Sequence, residues 1–168
     1  MDTLTRLGTC AAAITAVLFP AATIEIVNAT AEGGTTVVLD GALRRCDFSR
    51  VTEAAVVPRV GLGTGSALIH TAGSRAIAEV HLVDAPDPGT HFDVGLIQEP
   101  RPSSATCGPG DPGTAFTGMD TDAAGSGTVT VQDAIRPGTT GVWVIIERPN
   151  AHSQNPAEFY TSEFLAPV

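Results

Sequence analysis

Apolar and polar residues alternate along much of the chain beyond residue 34. In "RAIAEVHLVDA" (75–85), Ala76, Ala78, Val80 and Leu82 fall on one side, and Ile77, Glu79, His81 and Val83 on the other. "HFDVGLIQEP" (91–100) repeats the scheme, setting Phe92, Val94 and Leu96 against His91, Asp93 and Gly95. A period of two belongs to a β-strand with one buried face, because successive side chains point to opposite sides of the pleat. "TTVVLDG" (35–41) opens on β-branched residues and ends on an Asp-Gly turn signal, while "SALIHTAG" (66–73) is ended by glycine. "PGTTGVWVIIERPN" (137–150) is the strongest strand signal: Val142, Val144 and Ile146 share one face, Trp143 and Ile145 the other. Trp143 is expected to pack into the core between two sheets. "AEFYTSEFLAPV" (157–168) is aromatic and alternating and is expected to close the sheet. "RRCDFSRVTEAAVVPRVGLG" fits either a strand or an irregular turn.

The segment 103–133, "SSATCGPGDPGTAFTGMDTDAAGSGTVTVQD", breaks this pattern with proline and glycine. Pro102 to Gly113 reads as a loop. "GTAFTGMDT" and "SGTVTVQD" flank "DAAG", which predicts a hairpin whose turn takes positive φ from Gly125 and Gly127. Beyond residue 31 no stretch shows a 3.6-residue period, and strands recur roughly every ten to fifteen residues. The expected fold is all-β, an immunoglobulin-like sandwich of about seven to eight strands forming a single domain over 32–168.

The phrases "PGTHFDV", "TDAAGSGT" and "GVWV", within roughly residues 76–148, are similar to segments of uncharacterised secreted actinobacterial proteins with an immunoglobulin-like β-sandwich. These are turn-and-strand phrases. The resemblance implies a fold and an extracellular address, with no activity to carry over.

The first residues bear on the address. "MDTLTR" carries Arg6, and "LGTCAAAITAVLFPAATI" then runs without charge to Glu25. Ala29 and Ala31 occupy the small-residue positions of an A-x-A cleavage step, so residues 1–31 read as a secretory signal peptide. The run is short and interrupted by Pro20, which disfavours a permanent membrane span. An uncleaved N-terminal anchor is the rival reading. The expected location is therefore secreted or cell envelope.

Charge narrows the partners. The chain carries 18 acids against nine cations, a formal net charge of −9. That balance repels nucleic acid and anionic membrane. The expected partner is an unspecified surface or extracellular ligand. All nine cations are arginine. The absence of lysine excludes Schiff-base chemistry, a P-loop lysine and an S-x-x-K nucleophile. Together with abundant Ala, Gly and Thr, it suggests a bacterial genome of high GC content.

Cleavage would leave two cysteines, Cys46 and Cys107, and an even pair in an oxidising compartment is expected to bond. The chain-entropy model values the loop closed at about 4 kcal/mol. The alternative is a thiolate nucleophile or metal ligand at Cys107. Asp120 and Asp122 begin like a calcium loop, but the twelfth position is Val131, so a turn capped by aspartate is the better reading. The histidines His70, His81, His91 and His152 lie in separate segments. His81 and His91, on strands expected to be adjacent, could hold zinc or copper with Asp93. Solvated strand histidines explain them more simply. Gly61-Leu62-Gly63-Thr64-Gly65 lacks the third-glycine spacing and the βαβ context of a dinucleotide fingerprint. No G-x-S-x-G occurs. "RPNAHSQNPAEF" is amide-rich and could meet a sugar or peptide.

No catalytic, cofactor-binding or metal-binding residue is therefore assigned. The expected function is an exported, non-catalytic β-sandwich that binds through its loops or belongs to the envelope. The alternative is a secreted hydrolase or metal-dependent enzyme using His81, His91 and nearby carboxylates.

Overall fold

The computed structural model describes residues 33–52, 59–153 and 155–168. The expected signal peptide, with its Ala29-Thr30-Ala31 step, lies outside the described residues. Ten strands occur in the described chain. They are β1 (Thr35–Asp40), β2 (Arg59–Val60), β3 (Thr64–Ala72), β4 (Arg75–Val83) and β5 (His91–Glu99). The rest are β6 (Thr114–Asp120), β7 (Ser126–Ala134), β8 (Gly141–Arg148), β9 (Glu158–Ser162) and β10 (Ala166–Pro167). The protein is all-β, and no helix among the described residues is long and apolar enough to cross a membrane.

The main strands form one hydrogen-bonded sheet in the order β6-β5-β8-β9-β1-β3-β4-β7. Two four-stranded stretches, β6-β5-β8-β9 and β1-β3-β4-β7, meet where β1 pairs β9. That seam is short: Leu39 opposes Ser162 and Asp40 opposes Thr161. At the other side β6 and β7 approach without sharing a ladder. A Cβ on Gly127 would lie 3.1 Å from Met119 and 3.3 Å from the Asp120 carbonyl oxygen. The sheet is thus nearly closed on itself.

Period-two alternation sets which faces meet inside. Val37 and Leu39 of β1, Ala76 to Leu82 of β4, Phe92 to Leu96 of β5 and Val142 to Ile146 of β8 send alternate residues into one core. Fully burying each Val, Leu, Ile or Phe contributes about 1.5–3 kcal/mol relative to exposure. Tyr160 joins this core from β9, and Gly61 packs so close that a Cβ there would overlap the tyrosine ring. This contact accounts for one glycine of the run 61–65 without any nucleotide.

Three expectations need correction. β6 and β7 do not form a paired hairpin: β6 pairs β5, and β7 pairs β4. Their connection is a turn closed by the Gly125 N–H to Asp122 carbonyl bond of 2.9 Å. Gly125 takes a positive φ of 78°, as expected, but Gly127 does not belong to that set and serves instead as the close-approach point of the two edges. Trp143 is fully buried, yet outside the main core. It joins Ile97 and Ile145 in a second cluster on the outer face of β5 and β8.

Candidate functional site: a groove across β5 and β8

The second cluster exists because something covers it. Cys46 and Cys107 are bonded at 2.07 Å, tying the segment after β1 to the loop after β5. This agrees with the sequence expectation. Phe48, brought over by the same tether, lies with its ring centroid 5.6 Å from Trp143. The Arg44 guanidinium sits 4.0 Å above the Phe48 ring. The Trp143 indole N–H donates to Glu99 at 3.0 Å, and burial pushes the Glu99 carboxyl above its ordinary range.

Register then arranges the face as a gradient. Across β5 and β8, Ile97 opposes Trp143, Gly95 opposes Ile145, and Asp93 opposes Glu147. Across β5 and β6, Phe116 opposes Gly95 and Asp120 opposes His91. Apolar rows under the disulfide therefore give way, four residues along the strand, to a charged one. Two glycines make room for rings: a Cβ at Gly95 would lie 2.6 Å from Phe116, and one at Gly118 would lie 2.8 Å from the His91 imidazole. Both rings lie across the sheet surface as a result.

Two hollows open on this face. One, of about 280 Å³, is lined by the disulfide, Ile97, Phe116 and Ile145, and reaches Glu147. The next, of about 250 Å³, is lined by Asp93, Glu147, Asn150, Ser153 and Asn155. Glu147 lines both, making one groove with an apolar half and a polar half. Asn150, Ser153 and Asn155, from the amide-rich stretch 148–159, supply the polar wall.

Glu147 is the unusual residue of the groove. Its side chain makes no hydrogen bond or ion pair among the described residues. Burial first, and then the facing Asp93, push its carboxyl above the ordinary range. Like charges directly opposed across two strands are unfavourable. Asp93 has a partial partner in the His91 Nε2 at 3.6 Å, while His91 Nδ1 lies 2.7 Å from Asp120. The Asp120 hydrogen bond holds the His91 imidazole above its usual 6.5. His91 and Asp120 lie 29 residues apart in sequence, and the β5–β6 pairing brings them together.

The remaining expected site residues are dispersed. His81 stands exposed on β4 opposite Ser66 and Thr128, and His91 on β5; β4 and β5 share no ladder, so the two imidazoles are not brought together across neighbouring strands. His70 lies 3.5 Å from Glu79, and His152 sits in the exposed loop after β8. Asp122 accepts the backbone N–H groups of Ala124 (2.8 Å) and Ser126 (2.9 Å), the aspartate-capped turn that was preferred over a calcium loop.

Among the described residues, one group of carboxylates is close enough to share a cation: Asp84, Asp87 and Glu158, with ligand atoms within 4.8 Å of one another. Arg148 already lies against it, 3.1 Å from Asp87 and 3.7 Å from Glu158. Tyr160 donates its hydroxyl hydrogen to Glu158 and accepts the Gly63 N–H at 2.9 Å. Burial, then the Glu158 bond, push the Tyr160 hydroxyl well above its ordinary range. The arrangement is that of a partly buried ion-pair network which ties β9 to the 61–63 turn. Comparison with family descriptions, characterised proteins and solved structures found no match to the chain.

Proposed function

We propose that the protein is an exported, non-catalytic binding protein of the immunoglobulin-like kind found among secreted actinobacterial proteins, acting at the cell surface or in the medium. Its groove across β5 and β8 receives a ligand with a cationic head, an amine or guanidinium, and an apolar body. The observation that carries this reading is Glu147: a half-buried carboxylate, opposed by Asp93, to which the described chain offers no cation. A ligand cation there would relieve the repulsion and supply the missing partner, in a setting where charge pairs are stronger than in water. The apolar half beneath the disulfide accommodates a hydrocarbon or aromatic body.

The test is calorimetric titration of the protein with phenethylamine and with neutral 2-phenylethanol. The amine is expected to bind more tightly, and Glu147→Gln to weaken it about tenfold, the size of one charge-assisted hydrogen bond. Equal binding of amine and alcohol would overturn the reading.

A further inference from the structure

The loop of residues 100–113 lines a second hollow, which shares Ala105 and Thr106 with the groove. There Pro100, Pro102, Pro112 and Ala105 wall a hollow of about 370 Å³ into which Arg101 and Arg136 also face. The two arginines differ. Arg101 donates to the carbonyls of Thr106 (2.5 Å), Pro112 (2.9 Å) and Gly113 (3.3 Å), so it braces the loop. Arg136 makes no ion pair and no side-chain hydrogen bond among the described residues, and its Nε is buried without an acceptor. This is unexpected in a chain with 18 acids and nine cations.

The Arg136 backbone is also held in place. Gln98, fully buried, uses its whole amide at this junction. Its Oε1 accepts the Arg136 backbone N–H (2.9 Å) and the Thr139 hydroxyl (2.8 Å). Its Nε2 donates to Asp133 (2.6 Å) and to the Ala134 carbonyl (2.8 Å). Gly113, at a φ of 72°, lets the guanidinium lie against the loop backbone, where any Cβ would overlap it. A cation laid over Gly113 with no counter-ion among the described residues, beside apolar walls, is the form of an anion site with a hydrophobic annexe.

We propose that this hollow binds a small organic carboxylate, its charge met by Arg136 and its body resting on the three prolines. Guanidinium keeps its charge at any relevant pH and suits the planar carboxylate. Arg101 adds a second positive charge at the rim. The apolar walls separate this chemistry from that of a bare inorganic anion, which would leave them unused. The same carboxylate could come from a small acid or from the free C-terminus of an apolar peptide.

The experiment titrates the full chain, at low salt, with benzoate, methyl benzoate, inorganic phosphate, tri-alanine and tri-alanine amide. At least one acid is expected to bind about tenfold or more above its neutral twin, the scale of one hydrogen bond to a charged group, and above phosphate. Which acid does so identifies the source of the carboxylate. Arg136→Gln should remove that preference, while Arg75→Gln, at an exposed position on β4, should keep it. The proposal is overturned if neither acid outbinds its neutral twin, or if phosphate binds as well. It is equally overturned if a folded Arg136→Gln protein keeps the preference or if Arg75→Gln loses it. Should Arg136→Gln fail to fold, the acid-against-twin comparison on the unaltered protein decides the matter.

Discussion

Removing the Trp143 side chain would open a hole bounded by Ile97, Ile145 and Phe48 and would leave the buried Glu99 carboxyl without its indole donor. Trp143→Ala is expected to cost about 3–5 kcal/mol, read as a lower urea midpoint with an unchanged slope. Glu147 predicts the opposite sign. Its folded pKa lies above the unfolded one, so its contribution to stability is full below the ordinary carboxylate range and is lost as pH rises through the raised value. At neutral pH the ionised side chain therefore weakens the fold. Glu147→Gln should raise stability there by about 0.2–1 kcal/mol, the scale of a cross-strand pair. Denaturation at neutral and at acid pH checks this: the difference between variant and parent should shrink as pH falls. His91 answers to Asp120 in the same way. Its raised pKa means stabilisation at low pH that fades as pH rises through the folded value, and Asp120→Asn should return the imidazole toward its usual 6.5 in an NMR titration.

At the scale of elements, the faces of β4, β5 and β8 were legible because alternation is local: Ala76 to Leu82 and Phe92 to Leu96 pointed inward as the pattern required. Partner choice was not local, and there the reading ran out. Nothing in "GTAFTGMDT" and "SGTVTVQD" says that each pairs with a different strand instead of with the other. The outer-face cluster was hidden for a related reason. Trp143 and Ile145 look like the second side of a two-sided buried strand, and the cover that makes them so comes from Phe48 and the Cys46 tether, remote in sequence. Glu147, Gln98 and Arg136 gave no signal at all, since a lone polar residue in a strand or turn has no spacing to betray it. The tether itself yields a prediction. It closes a separation of 61 residues, so replacing both cysteines by serine should lower stability by about 4 kcal/mol, and the loss should appear as a lower melting temperature. Phe48 and the groove wall depend on it, so amine binding should weaken in the same variant.

For the molecule as a whole, the proposed export makes a direct prediction: protein recovered from the medium begins at Glu32, as N-terminal sequencing would read it. Finding only the full-length chain inside cells would count against it. The seam between β1 and β9 adds a constraint of a different kind. β1 is made early, yet one of its two neighbours is β9, and the Glu163 N–H closes onto the Val38 carbonyl at 3.0 Å. A chain emerging from the ribosome can assemble β3 with β4 while still growing, but β1 keeps an open edge until β9 has been synthesised. Closure of the sheet therefore waits for β9, and a chain stopped before Glu158 keeps β1 as an open edge.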